Sequence, residues 1–386
     1  MPPTHRAVLF LAVCSACAGV SVRPEAVRAD SLPVVALSAD TERELGRHVD
    51  AAIEAVMRRH YAAAERQARQ ALDIDPRRAR ARAVLGMVLF QRSTLADPPD
   101  LFLAHAGEAD LILAEQLAPA DPFVGWMHAV MLAEAGHMTA AAATAEAALG
   151  RTEAAPANER AALLGVAGTY RYELGEERAA LPHLQAYVAL RPDDATARFR
   201  LGYCLLRLAG LPSGPKPNSL VVAQGQAEAA AAAFRRGAEL VPGDEDVALA
   251  VGAALLRAAE LAEQRRDTAA RDDRRQQALQ QFRAVADRFP GSAEALFRVG
   301  VVAEAGGEQQ TAREAYTQAL ARDPEHLGSL LNLAAIAEHE AGAEDAVREL
   351  LRRAIAADGR RGALSVAERS RILARLEPPA GGATPP

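Results

Sequence analysis

The sequence predicts an all-α protein made by stacking one two-helix unit about eight times, and three observations predict it. First, a pattern of small and large residues recurs with one internal spacing. Ala312, Tyr316, Ala319, Leu320 and Pro324 are matched by Ala64, Ala68, Ala71, Leu72 and Pro76. Ala180, Leu184, Tyr187, Val188 and Pro192 repeat the spacing, as do Ala230, Phe234, Gly237, Ala238 and Pro242. Second, glycine-bearing pairs lie upstream of these: Leu85-Gly86, Ala167-Gly168, Leu201-Gly202, Val251-Gly252 and Val299-Gly300, on an underlying period of 34 residues. Third, half of the residues are apolar and only 4% are aromatic. That composition suits thin helical layers, because alanine is the best helix former and lets helices approach closely. A period of this length built from two helical patterns means a stacked array, in which each unit buries its apolar face on the next.

The chain opens on His5 and Arg6, followed by an apolar run from Ala7 to Val20. The run is too short for a comfortable membrane span and has the flanks of a secretory signal. Small-x-small cleavage sites end at Ala18 and at Ala29; the second gives a signal segment over residues 1–29. A third reading is lipidation at Cys17, preceded by Ser15-Ala16, although Cys14 stands where a lipobox carries leucine. The expected location is therefore outside the cytoplasm, periplasmic or secreted, with a membrane tether only if Cys17 carries lipid.

Residues 30–40 read as a linker, and Thr41-Glu42-Arg43-Glu44 has the spacing of a capping box that opens the first helix. The repeats then occupy residues 41–359, with insertions near 91–100, 210–225 and 262–276. Pro212, Pro215, Pro217 and Gly214 make the second insertion a loop. The third, free of Gly and Pro through Glu260–Gln277, lengthens both helices of its pair. All three fall between the first and second helix of a unit, so they project from one edge. Pro182 is read as lying near the first turn of its helix, where backbone N–H groups lack intrahelical partners. Residues 360–376 form a capping helix opened by Ser365 with Glu368 three on, and residues 377–386, rich in Pro and Gly, are expected to be disordered.

The pattern has a packing logic. Two antiparallel helices approach closely only where side chains are small, so Gly or Ala recurs at fixed points. Larger residues fill the space between layers, and the terminal Pro stops the second helix.

No chemistry-bearing constellation survives inspection. The nine His are scattered without a ligand pair, and Asp244-Glu245-Asp246 is an acidic first turn of a helix. Gly210–Lys216 has the wrong spacing for a phosphate loop, and its prolines remove the amides such a loop needs. No catalytic residue, metal site or cofactor is expected. Cys14 and Cys17 lie in the apolar run, which leaves Cys204 alone beyond it. Net charge is -6, falling to -8 without residues 1–29, a balance unlike that of a nucleic-acid binder.

Over about residues 41–360 the chain resembles the tetratricopeptide repeat (TPR) family. The resemblance implies a right-handed superhelical solenoid of about eight TPR helix-turn-helix repeats with a C-terminal capping helix. It implies also that first helices line a concave groove through positions 2, 5, 9 and 12. Mapped here, these hold Phe90, Phe123, Trp126, Tyr172, Phe199, Tyr203 and Phe297, with Arg80 and Met87 beside them. Aromatic anchors of this kind are worth ~2 kcal/mol or more each in an interface. The co-chaperone subtype needs groove lysines, and Lys216, the only lysine, lies in a loop. The expected function is non-enzymatic: an exported scaffold or adaptor that takes a protein or peptide partner in its groove, in cell-envelope assembly, secretion or export. The alternative is a lipid-anchored structural component that docks through the insertion-bearing edge of repeats five and six.

Overall fold

The computed structural model describes residues 27–151, 155–210 and 219–376. The apolar run, Cys17, the centre of the proline-rich loop and residues 377–386 lie outside them. Among the described residues there are 17 α-helices and no strand. They are α1 (Ala39–Met57), α2 (Tyr61–Ile74), α3 (Ala79–Leu95), α4 (Leu101–Leu117), α5 (Pro122–Glu134) and α6 (Met138–Arg151). Then come α7 (Ala157–Glu173), α8 (Glu177–Leu190), α9 (Ala195–Gly210), α10 (Ser219–Leu240), α11 (Glu245–Gln264) and α12 (Thr268–Arg288). The series closes with α13 (Ala293–Ala305), α14 (Gln309–Arg322), α15 (Leu327–Ala337), α16 (Glu344–Arg361) and α17 (Val366–Leu376). The chain divides into two compact units, one ending at Cys204 and the other starting at Leu205, within α9.

The helix boundaries are written in local chemistry. Asp100, Asp121, Asp244, Asp267 and Ser292 each precede a helix and accept from backbone N–H groups of its first turn. The first helix is capped by Ser38, not by Thr41. Ser38 Oγ accepts from the Thr41 N–H at 3.2 Å, so the helix starts at Ala39. Residues just before it are held as well: Arg77 Nη1 donates to the carbonyls of Ala29 and Leu32 at 2.7 and 3.1 Å. Pro182 is the sixth residue of α8, so it removes a bond to the Arg178 carbonyl rather than falling among the free first-turn donors. Pro182 is on the exposed face, which leaves that carbonyl open to water.

In the first unit, α1–α2, α3–α4, α5–α6 and α7–α8 are antiparallel pairs, and α1, α3, α5 and α7 pack on one another in turn. The glycines set the approach. A Cβ on Gly86 of α3 would stand 2.6 Å from the Gly107 carbonyl oxygen on α4, and one on Gly107 would stand 2.5 Å from the Gly86 oxygen. The two backbones touch there, which no larger residue allows. At Gly125 the same place is filled by Ala148 of α6, and at Gly168 by Leu184 of α8. The core between pairs is mostly aliphatic, from Ala52 and Val56 through Val84 and Val88 to Val124 and Met131, with Phe90 and Phe123 buried in it.

The second unit repeats the device with aromatic partners. Phe282 of α12 lies against Gly252 of α11, and Tyr316 of α14 against Gly300 of α13. Helices α11 and α12 are 20 and 21 residues long, while α13 and α14 are 13 and 14. The extension is solvated, since α12 buries only Ala278, Phe282 and Val285. At the C-terminal end α17 lays Ile372 against Ala334 and Leu351. Its start is a reciprocal capping box: Glu368 N–H donates to Ser365 Oγ at 3.3 Å, and Ser365 N–H to Glu368 Oε2 at 2.9 Å.

Candidate functional site

The first unit contains a groove of about 940 Å³. Its floor comes from α5 and α7, one wall from Ile53 and Met57 of α1 and Arg80 of α3, and the other from the end of α8 and the start of α9. Four aromatic side chains line it: Phe123, Trp126, Tyr170 and Tyr187. Phe123 and Trp126 follow Asp121, whose carboxylate caps α5 and fixes the rotation that brings both rings to one face. The rings meet edge to face, with centroids 5.9 Å apart. Gly165 and Ala162 keep the α7 surface low between them.

The polar groups of the wall are largely committed to one another. Arg80 donates through Nε to Asp121 Oδ2 at 2.7 Å and through Nη1 and Nη2 to both oxygens of Glu159. Its guanidinium also lies over the Phe123 ring, 5.5 Å from the centroid. Burial works against the Arg80 charge, but the bonds and charge of Asp121 and then Glu159 outweigh it and raise its pKa. On the opposite wall Tyr187 Oη donates to Asp194 Oδ2 at 2.8 Å, and Asp194 Oδ1 accepts the Ala197 N–H that opens α9. Burial, then that bond to Asp194, pushes the Tyr187 hydroxyl up to about 12. Tyr170 is raised too, by burial and then by the charge of Glu134.

Of the residues nominated from sequence, Arg80 and Trp126 come together in this groove, over Phe123, which touches it from the core and is itself only 4% exposed. Phe90 and Met87 do not. They are 3% and 4% exposed and belong to the core, because the close approach at Gly107 presses that turn of α3 onto α4. Tyr172 is half-buried outside the lining, and on α9 Phe199 is half-buried and Tyr203 exposed, neither of them lining it. Phe297 belongs to the second unit, where its ring packs on His326, Tyr316 and Gly328.

Tyr170, Tyr187, Glu159, Arg191 and Arg200 are lining residues that the nominated set omits. Tyr187 carried a usable signal. At its place in the recurring pattern the other units have Ala71, Gly237 and Ala319, so a tyrosine there is the exception. Its ring reaches across to Gly165, where a Cβ would lie 3.0 Å from Cε2.

Among the described residues no group of three or more His, Cys, Asp or Glu is placed to hold a metal ion. No helix among them is long and apolar enough to cross a membrane.

The sequence model of the tetratricopeptide repeat family matches residues 49–111, 166–211 and 267–324. No curated protein matches the chain. Solved structures similar to it include that of YrrB, described as a TPR protein with an unusual peptide-binding site. Identity there is 20%, over 57% of this chain and 96% of that one, with a TM-score of 0.43. MamA is similar at 15% identity, over 51% of this chain and 97% of its own, with a TM-score of 0.37. PilF of Pseudomonas aeruginosa is similar at 15% identity, over 66% and 96%, with a TM-score of 0.40. The matched stretches and the helical pairs agree, and the fold is an all-α array of tetratricopeptide repeats.

Proposed function

We propose that the protein is a non-enzymatic scaffold that holds a peptide segment of a protein partner in the groove of its first unit. The observation that carries this is the aromatic lining: Trp126, Tyr170 and Tyr187 line one groove of about 940 Å³ above the buried Phe123, a size and chemistry suited to a few anchoring side chains. The TPR fold supports the reading, since such arrays present extended binding surfaces and no catalytic machinery of their own. The YrrB structure is described as having a peptide-binding site, which agrees with this class of ligand. The apolar run at residues 7–20 supports export, and with it a role in envelope assembly or secretion, with Cys17 as the site of an anchor if lipid is attached. The intact mass of the protein from its native cells decides between cleavage after Ala29 and lipidation.

A photo-crosslinking residue in place of Ala162, in the groove, tests the binding site. Controls carry it at Asp73, exposed on α2, and at Asp272, exposed on the extended α12. Capture of one protein partner from position 162 alone supports the groove. Capture from position 272 alone supports docking through the extended edge of the second unit and overturns the groove.

A further inference from the structure

The charges of the groove are unequally satisfied, and that inequality selects a ligand. Glu159 and Asp121 are engaged by Arg80, and both oxygens of Asp194 accept hydrogen bonds. Asp193 also has an interaction of its own. Arg191 and Arg200 differ. Both line the groove on the Tyr187 side, Arg191 exposed and Arg200 half-exposed, and among the described residues neither guanidinium has a carboxylate or carbonyl partner. Each guanidinium offers five N–H donors in a planar fork that fits a carboxylate at two points. Facing them are Ile53 and Met57 on the other wall and Trp126 on the floor, all apolar or aromatic. A ligand that leaves the two arginines without an acceptor forfeits part of their hydration, whereas an anion beside them makes charge-assisted bonds.

We propose that the first-unit groove selects an acidic peptide segment, with a side-chain carboxylate held by Arg191 and Arg200 and apolar side chains set against Trp126 and Tyr170. The proposal rests on the peptide-binding reading above and narrows it to a ligand chemistry. Arg80 contributes little attraction because two carboxylates already neutralise it.

The test is a selection from a random library of twelve-residue peptides displayed through their C-termini, so that only side-chain carboxylates vary. The baits are the full-length protein, an Arg191→Gln/Arg200→Gln variant and a Trp126→Ala variant, each first checked by circular dichroism for the wild-type helix content. Wild-type protein is expected to enrich Asp and Glu several-fold next to apolar residues, and the double arginine variant to lose that enrichment. Individual selected peptides should then bind at least tenfold more weakly to the double variant, read by the emission of Trp126, the single tryptophan of the chain. Trp126-dependent enrichment without an acidic bias, or with a bias the double variant retains, overturns the proposal and leaves the groove reading standing. No enrichment over the Trp126→Ala variant overturns both.

Discussion

Arg80 and Glu159 close a two-pronged ion pair across the groove wall, Nη1 to Oε1 at 3.0 Å and Nη2 to Oε2 at 3.2 Å, though 79 residues separate them. With Asp121 as the third member, the pair ties α3 to the N-terminal ends of α5 and α7. Arg80→Ala leaves two half-buried carboxylates without their cation. The expected loss is about 1–3 kcal/mol, the range for a buried acceptor left without its partner, seen as a lower urea midpoint. Since Arg80 is about a third exposed, solvent screening favours the lower end of that range. An unchanged midpoint means that water replaces the pair at no cost.

Glycine contacts give a second expectation. Gly86→Ala sets a methyl 2.6 Å from a backbone oxygen, and Gly300→Ala sets one 2.4 Å from Tyr316 Cε1. Both overpack the hairpin, at a cost of about 1–3 kcal/mol. Gly86→Ala should be the worse, because a backbone carbonyl cannot rotate away whereas a ring can be replaced. Adding Tyr316→Leu to Gly300→Ala should therefore recover part of the loss in a double-mutant cycle of thermal unfolding.

The turns between paired helices offer a stabilising change. Gly307 follows α13 with φ +81°, and Arg266 follows α11 with φ +60° at the equivalent turn. A side chain in that left-handed region costs about 1–2 kcal/mol, partly offset by the greater unfolded-state freedom of glycine. Arg266→Gly should raise the unfolding free energy by about 0.5–1 kcal/mol. A decrease would show that the Arg266 side chain contributes a contact worth more than the relief.

Tyr187 makes groove integrity sensitive to alkali. Its hydroxyl is raised from 10.0 to about 12 in the folded state, by burial and then by its bond to Asp194. A group whose pKa rises on folding stabilises fully below the unfolded value, and the contribution fades as pH climbs through the folded one. Stability should therefore fall between about pH 10 and 12 more steeply in wild type than in Tyr187→Phe. At neutral pH Tyr187→Phe should cost about 1 kcal/mol for the lost hydrogen bond. Denaturant titrations across that range read both.

At the other end of the chain the sign is reversed. Asp358, fully buried on α16, accepts from the Leu364 N–H at 2.7 Å and from Arg369 Nε at 2.8 Å, and so fastens α17 to α16. The Leu364 amide and then Arg369 hold its carboxyl below the ordinary 3.8. Its contribution is complete above that pH and is lost as pH falls through the lower folded value. Hydrogen-exchange protection in α17, taken relative to the intrinsic rate at each pH, should be high at neutral pH and fall in acid before that of α13 or α14. In Asp358→Asn the exchange should be fast already at neutral pH, with no further change of this origin.

The sequence by itself determined the helical pairs. Gly86, Gly168, Gly252 and Gly300 were legible because helix contact at that point admits only a small residue. Ser365 was legible because a cap acts on the backbone within three residues of itself, whereas Asp244, read as part of an acidic first turn, is the cap before it. Such constraints are local and recur, so they stand out in a single chain. The groove was legible in part: Phe123 and Trp126 follow the Asp121-capped start of α5, and Arg80 stands in the first turn of α3, near helix starts where register is fixed.

Tertiary structure decided the rest. Phe90 and Met87 sit further along α3, where the Gly86–Gly107 approach turns that face into the core. On α7 the lining falls on Tyr170 rather than Tyr172, because two positions swing a helical side chain through about 200°, from one face to nearly the opposite one. Tyr187 reaches the groove from a second helix because Gly165 leaves its ring room. Arg191 and Arg200 matter because the neighbouring carboxylates are already bonded elsewhere. Which face a residue presents, and which charge remains unsatisfied, depend on neighbours far away in sequence, and no local pattern encodes them.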